Sequence, residues 1–599
     1  MLRITGAQLN LTIGDIEGNV ARIIEATRKA VTAGSNLAVF PELAVTGYYP
    51  ADMLDEPEFM DRVMAGLDEL QTASAAMPSV TMVVGTPLRR DGAGKLLQNA
   101  MVLLKGGTLL GTYAKQLLPT YNIFDERRHF EPGPDVAFVQ EIDGHNVGFL
   151  ICEDGWNDSA LEYVVNPFDR LGAARPEIVV SINASPSNIN KREQRHQVFG
   201  SASTRHGLPL VYVNHVGGHD QLVYDGASFA VEPGRGAVFE ACRFVEDVFT
   251  LDFANGAFSV VDTGEPALGA PGEVPFNAAY FTKGGGPVKP MALGVPRSVG
   301  NVDSRGLPTM EFYLRQTVLG LRDYARRCGF KSTVLGESGG IDSALTTVFA
   351  AMAMGSDSVT AITMPSRFSS SGSVSDSEAL CHNLGIKLLT HPIKAIVDQY
   401  SADFEASTGA APQGLTLENL QARVRGTILM EYSNAHGNLL LTTGNKSEIS
   451  VGYCTLYGDT NGGLGLIGDY YKTEVFAESE YINEVAGWDV IPNDIVRKPP
   501  SAELAPGQKD TDSLPPYDVL DDILRVLIEG ARLAPDELWK ASTRVTEMEK
   551  TEEGRALITR IRGMIARNEY KRRQAPPILR VRSRAFGSGR QMPIAAKYR

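Results

Sequence analysis

The sequence predicts an α/β protein of more than one domain, and three observations carry that reading. Its 599 residues exceed what a single hydrophobic core holds, so roughly two to four domains are expected. Residues 1 to about 270 alternate short apolar runs with helix-period stretches. Further on, an apolar run ends in "LGESGGIDSA" (335–344), a glycine-rich strand-to-helix turn, and Ala344, Leu345, Val348, Phe349 and Met352 then recur at helical spacing.

Composition narrows the class. With 43% hydrophobic and 21% charged residues and no apolar run long enough to span a bilayer, the chain reads as a globular enzyme without a membrane partner. The opening "MLRITGAQLN" lacks a basic-then-apolar signal, so a cytoplasmic location is expected. Five scattered cysteines (152, 242, 328, 381, 454) point to reduced thiols, and the lack of any CxxC spacing argues against structural zinc. A net charge of −14 disfavours nucleic acid as a partner. The exception is residues 555–599, with 13 Lys or Arg and one acid, Glu569.

In the first half, Ile4 to Leu11 alternates as a strand does. Val20, Ile23, Ile24, Thr27 and Val31 mark a helix that Gly34 stops. Three buried-type strands end in polar segments: Leu37–Phe40 in "PELAVTGY", Val147–Ile151 in "CEDGW", and Ile178–Ile182 in "NASPS". The ends of core strands are where α/β enzymes put their chemistry. Glu42, Lys115 and Cys152 make a coherent set there. A cysteine needs a base to become a thiolate, and an amide substrate needs donors for its oxyanion.

In these contexts and this order ("FPE", "YAKQLLPTYNIFDE", "LICEDGW"), the segment resembles the nitrilase, or carbon–nitrogen hydrolase, superfamily, whose fold is an αββα sandwich. The resemblance implies Glu42 as general base, Cys152 as nucleophile and Lys115 as stabiliser of the tetrahedral intermediate, with Glu126 as a second acid. It also implies that Tyr121, Ser185 and Lys191 hold the amino-acid end of glutamine, because Tyr212 to Ser228 resembles the glutaminase branch.

From about Glu265 to Pro296 proline and glycine cluster and periodicity is lost, which reads as a connecting segment. Phe276, Tyr280 and Phe281 are too apolar for a free tether, so partial packing is expected. The domain boundaries expected are 1–265, 266–300 and 301–599.

The glycine loop that follows is a phosphate cradle without the Gly-Lys-Ser/Thr of a Walker A motif. It resembles the loop of the ATP pyrophosphatases, a family with a Rossmann-like parallel sheet. That resemblance assigns Gly336, Ser338, Gly339, Gly340, Ile341 and Ser343 to ATP and Asp342 to Mg²⁺. Seven serines between 366 and 377 suggest a mobile lid over ATP, with Arg367 near the phosphates. Leu417, Leu420, Val424 and Ile428 mark one face of a helix that leaves Asn419, Arg423 and Arg425 on others. The strand Leu439–Thr442 runs into "TGNKSE", whose Glu448 is the carboxylate to pair with Asp342 on Mg²⁺, a hard ion that takes oxygen ligands.

Across Gln8 to Ile594, "LGxSGGIDSAL", "MPSRFSS", "ENLQARVRG", "TTGNKSE" and "KPPSAELAPGQKDTDSLPPYDVLD" resemble the NAD⁺ synthetases, and the amidase segment in front resembles their glutamine-dependent branch. This implies three small-molecule substrates (glutamine, ATP and deamido-NAD⁺), Mg²⁺ as cofactor, a homo-oligomer of at least two chains, and a shielded route for ammonia. It places Asn419, Arg423, Glu448, Asp459, Lys472 and Lys571 on deamido-NAD⁺ and Thr443 on ATP, and reads the basic end as lining a dinucleotide or subunit contact. One residue departs from the pattern: Glu337 stands where the family usually carries an apolar side chain. It either faces the triphosphate and repels it or turns away and needs a buried partner or solvent. An amidotransferase acting on another adenylated acceptor, or a glutaminase with a disabled ATP site, remains open at this stage.

Overall fold

The computed structural model describes residues 1–158, 162–261, 272–303 and 305–596. The chain forms two compact units, one built from Met1–Gly217, Val223–Ala270 and Leu293–Leu307, the other from Gly218–Leu222, Pro271–Ala292 and Pro308–Arg599.

The first unit is two seven-stranded sheets with helices on their outer faces. One sheet runs, in spatial order, Ala257–Val261, Asp247–Ala254, Leu2–Gln8, Leu37–Val39, Thr81–Arg89, Leu97–Lys105 and Thr108–Ala114. The other runs Ser298–Val299, Gly236–Glu240, Phe229–Glu232, Leu210–Val213, Ile178–Ile182, His145–Ile151 and Val139–Ile142. Alternate residues of the two sheets face each other: Leu2, Ile4 and Val39 meet Val147, Phe149, Ile151, Ile178 and Val180 in one core. The opposite faces of the second sheet (Leu150, Val179, Leu210, Tyr212) pack on Phe199 and Ala202 of the helix Lys191–His206. Both faces are thus covered, which is why the central strands read as continuous apolar runs. Truncating a residue between the sheets, such as Phe149→Ala, would cost roughly 3–5 kcal/mol.

Most sequence boundaries hold here. Ile178–Ile182 is a strand as expected, and the first strand spans Leu2–Gln8, starting two residues and ending three residues earlier than its alternation suggested. The helix Ile16–Thr32 starts where Asp15 accepts the Gly18 amide, buries Val20, Ile23, Ile24 and Thr27, and is followed by Gly34 at φ +70°. Val31 differs from expectation: it lies at the helix end and is 37% exposed.

In the second unit five parallel strands lie in the order Lys387–Thr390, Val359–Thr363, Thr333–Gly336, Leu439–Thr442 and Leu464–Gly465. Counted along the chain this is 3-2-1-4-5, so the order reverses between Thr333–Gly336 and Leu439–Thr442. Doubly wound sheets bind ligands outside the carboxyl ends of the strands at such a reversal. The helix Ile341–Met354, which leaves the first strand, is apolar nearly all round and buried on nearly all sides. A second core, including Leu520, Ile523, Leu524, Ile558, Ile561 and Ile565, joins the C-terminal helices.

Three expectations change. The connecting segment is divided between the units: 272–292 belongs to the second, where Tyr280 and Phe281 are buried and Glu273 pairs with Arg322, while 293–303 belongs to the first, with Arg297 on Asp247. The expected 265/266 boundary lies outside the described residues. The serine-rich stretch is mostly not a loop, because Ser370 caps a helix over Ser371–Leu384 by accepting the Ser373 amide. Many serines in a row suit a helix start as well as a loop, since their hydroxyls satisfy the first free N–H groups. The basic end is largely spent internally. Arg572, Arg580, Arg582 and Arg590 are buried, and Arg582 bonds to Glu474, Glu529 and Glu537.

Candidate active sites

In the first unit the strand His145–Ile151 ends at Cys152, whose φ of +45° is a strained value for a residue with a Cβ. A short turn, Cys152–Gly155, follows. Asp154 within it accepts the amides of Gln116 (3.0 Å) and Leu117 (2.8 Å) and the hydroxyl of Tyr113 (2.8 Å). The cysteine turn is thereby tied to the segment carrying Lys115. Burial pushes the Asp154 acid up to about 7.

Glu42 follows the strand Leu37–Val39. Its Oε1 accepts Lys115 Nζ at 2.7 Å and Asn99 Nδ2 at 2.7 Å, and its Oε2 accepts the Ala184 amide at 3.0 Å. Lys115 Nζ also donates to Glu126 Oε1 at 2.7 Å, which receives the Tyr48 hydroxyl at the same distance. Gly85 is required beside this turn, because a Cβ there would meet the Leu43 amide and the Pro41 carbonyl at 2.5 Å. Glu42, Lys115 and Glu126 are at most 1% exposed. Burial opposes the Lys115 charge, but Glu126 and Glu42 more than offset it and raise its pKa. Burial, with Glu42 adding to it, raises the Cys152 thiol. The resting group is therefore a thiol beside a carboxylate–ammonium pair, the state in which a general base has a proton to remove.

Of the three expected glutamine contacts, Tyr121 and Lys191 meet around a residue that sequence reasoning missed. Glu153 accepts the hydroxyls of Tyr121 (3.0 Å) and Tyr163 (2.9 Å), and burial raises its acid although Lys115, the two hydroxyls and Lys191 oppose the rise. Lys191 Nζ lies 3.6 Å over the Trp156 ring. Ser185 sits buried beyond the strand Ile178–Ile182, its amide on Asn214. Adjacency to Cys152 was the one sequence signal available for Glu153.

In the second unit the carboxyl ends of the strands open onto a cavity of about 310 Å³. Gly336, Ser338, Gly339, Gly340, Ile341, Asp342 and Ser343 line it together with Thr443, Glu448, Asp459 and Lys472. Gly339 has φ +71°, and a Cβ there would lie 2.3 Å from the Ser373 carbonyl, so glycine is required. Asp342 accepts Asn445 Nδ2 at 2.8 Å and pairs with Lys472 Nζ, which also lies 3.3 Å from Glu448 Oε1. Burial and the Asp342 charge push the Glu448 acid up to about 8. Two carboxyl groups converge on one ammonium, an oxygen donor set that suits a divalent cation, whose charge would favour the ionised form of Glu448. Arg425, Lys498 and Asp510 also line the cavity and were not singled out from sequence as ligand contacts.

Four expected contacts lie elsewhere. The Arg367 guanidinium stacks 4.7 Å from the Phe368 ring, outside the cavity wall. Asn419 accepts the Thr455 hydroxyl (2.8 Å), Arg423 donates to the Leu456 carbonyl (3.2 Å), and Lys571 donates to the carbonyls of Gly452 (2.8 Å) and Cys454 (2.7 Å). These three hold the 452–459 loop from behind, and its Tyr453, Cys454 and Asp459 face the cavity. Glu337 is also part of the cavity lining, but its carboxyl is 1% exposed and held by buried partners, the Gly339 amide and the Ser343 and Thr347 hydroxyls.

The chain matches two known families. Residues 3–253 match the carbon-nitrogen hydrolase family and residues 313–575 the NAD synthase family. The chain is 39% identical to the glutamine-dependent NAD(+) synthetase of Synechocystis sp., over 100% of this chain and 99% of that one. It belongs to the glutamine-dependent NAD(+) synthetase family. The Thermotoga maritima member is 38% identical over 100% of this chain and 99% of its own. Among solved structures, the Acinetobacter baumannii enzyme in complex with ADP superposes with a TM-score of 0.71 at 32% identity, covering 99% of this chain and 98% of its own. The Cytophaga hutchinsonii enzyme shares the fold, with a TM-score of 0.77 at 21% identity over 99% and 98% of the two chains. Among the described residues no helix is long and apolar enough to cross a membrane.

Proposed function

We propose that the chain amidates deamido-NAD⁺ to NAD⁺ with ammonia from glutamine, converting ATP to AMP and pyrophosphate. In the first unit Glu42 takes the Cys152 proton as the sulfur attacks the glutamine carboxamide. Lys115, held between Glu42 and Glu126, is positioned to donate to the oxyanion. Glu42 passes that proton to the leaving nitrogen so that ammonia departs; it then deprotonates a water that attacks the thioester, releasing glutamate and returning the proton to the Cys152 sulfur. Tyr121, Glu153, Ser185 and Lys191 are the residues assigned to the amino-acid end of glutamine.

In the second unit the amides and hydroxyls of Ser338, Gly339, Gly340, Ile341 and Ser343 are assigned to the ATP phosphates, with Thr443 beside them. Arg367, now over the Phe368 ring, is assigned to the nucleotide as well. Asp342 and Glu448 would hold Mg²⁺, which when bound supplies charge neutralisation for the polyphosphate. Lys472 balances the same carboxylates and is freed for an anion when another cation takes them. The nicotinate carboxylate attacks the α-phosphorus, and ammonia then displaces AMP from the acyl adenylate. Asp459 faces the dinucleotide, and Asn419, Arg423 and Lys571 shape its pocket through the loop they hold.

The observation that carries this reading is that one chain holds a buried Glu–Lys–Glu–Cys set and, at a sheet reversal, a glycine loop facing two convergent carboxylates. An assay with glutamine, ATP, Mg²⁺ and deamido-NAD⁺ tests it. Matched NAD⁺, AMP and glutamate are expected, and Cys152→Ala should make NAD⁺ only from added ammonium. Glutamate without AMP would sink the synthetase half.

A further inference from the structure

Glu337 follows the strand Thr333–Gly336 and turns its carboxyl beneath the glycine loop, at 1% exposure. Oε1 lies 3.0 Å from the Gly339 nitrogen and 2.8 Å from Ser343 Oγ, and Oε2 lies 2.7 Å from Thr347 Oγ1. Thr347 Oγ1 is also 2.8 Å from the Ser343 carbonyl, and Ser343 Oγ is 3.0 Å from the Gly340 carbonyl. Each hydroxyl has one proton. With Glu337 ionised, Thr347 and Ser343 each face two acceptors with one proton, and two short oxygen–oxygen contacts are left without a hydrogen.

A proton on Oε2 removes the shorter conflict. The acid donates to Thr347 Oγ1, the Thr347 proton goes to the Ser343 carbonyl, and Oε1 accepts the Gly339 N–H and the Ser343 O–H. The surroundings agree, since no ion pair reaches Glu337 among the described residues. Lys498, the cation facing it, donates to the Gly339 carbonyl (3.2 Å) and pairs with Asp376 (2.5 Å). The other titratable group facing it is the buried Cys381 thiol. Burial also raises the Glu337 acid.

We propose that Glu337 is a positioning residue that works as a neutral carboxylic acid. It fixes the Gly339 amide and the Ser343 and Thr347 hydroxyls from beneath, and the loop keeps its shape without a negative charge beside a polyphosphate. The kinetic part of this proposal rests on the reading that the loop binds ATP; the protonation part does not.

The experiment is isotope-edited infrared spectroscopy of the full chain labelled with ¹³C-glutamate at neutral pH, comparing wild type with Glu337→Gln. A protonated carboxylic-acid carbonyl band present in wild type and missing from the variant is the expected result. A difference confined to the carboxylate region overturns the proposal. In pyrophosphate-release assays, Glu337→Ala is expected to raise KM for ATP about tenfold, the scale of one or two lost hydrogen bonds, with little change in kcat. Glu337→Gln, which mimics the neutral acid, should restore most of that loss. A folded Glu337→Gln as impaired as Glu337→Ala also overturns the proposal. If wild type releases no AMP, the ATP reading fails while the infrared result still decides the protonation state.

Discussion

The two sites of this chain solve opposite problems with the same residue types. In the first unit Lys115 stands between Glu42 and Glu126, all three at most 1% exposed, with each contact at 2.7 Å. In the second, Lys472 also stands between two carboxylates, but Asp342 and Glu448 keep 19% and 17% of their side chains exposed toward a cavity. The first arrangement is closed within the protein: the Lys115 ammonium meets both carboxyl groups directly, and Asn99, Tyr48 and the Ala184 amide take up their other contacts. The second is a provisional balance. Its lysine pairs closely with Asp342 and lies 3.3 Å from Glu448. Burial decides the difference. A sealed charge must be paired within the protein, whereas a charge at an open cavity can exchange partners.

The largest test of this contrast is Asp342→Asn. Removing one of two convergent carboxylates should cut AMP formation at least ~10²-fold, the scale of losing a charge-stabilising group, while leaving the protein folded. Lys115→Met should do the reverse in kind. It strands two buried carboxylates, so glutamine hydrolysis is lost and stability falls by about 3–5 kcal/mol in denaturant titrations. Equal stability losses from the two variants would break the comparison.

Smaller effects follow from two buried acids shifted in opposite directions. Asp154 in the first unit is pushed by burial from 3.8 up to about 7, so the folded state holds its proton more tightly. Wild type should therefore lose stability relative to Asp154→Asn as pH rises from about 4 to about 7. Burial alone would raise Glu529 in the second unit too, but Lys446 and Arg582 outweigh it and hold it at about 2, below 4.5. Its contribution is full above about 4.5 and is lost as pH falls toward 2, relative to Glu529→Gln. Each slope is bounded by ~1.4 kcal/mol per pH unit, and unfolding titrations at several pH values read both signs. The smallest effect expected is for Lys571→Met. Losing two bonds to the 452–459 loop should raise KM for deamido-NAD⁺ by about three- to tenfold with little change in kcat, since each bond to a charged group is worth about 1.5–3 kcal/mol and much of that is absorbed by loop relaxation.

Sequence alone determined the elements and the chemistry held in contiguous motifs. Apolar runs located the strands at Ile178–Ile182 and Leu439–Thr442, because a strand covered on both faces leaves no polar alternation to blur it. Glu42, Lys115 and Cys152 were legible because each closes a core strand or follows one in a distinctive context, and the glycine loop because few other stretches combine that spacing with a strand and a helix. What tertiary structure decided is which way side chains turn and what they meet. Asp154 and Glu153 flank Cys152 in sequence, yet their partners lie on the 113–121 segment, which spacing cannot reveal. Asn419, Arg423 and Lys571 grip the 452–459 loop, a role that their spacing did not show. The basic end read as lining a dinucleotide or subunit contact, and its Arg582 and Arg590 are drawn inward by Glu474, Glu529 and Glu569. The physical reason is common to all: a charged side chain's role is set by the charge it faces, and in a fold of this size that partner is often more than 100 residues away.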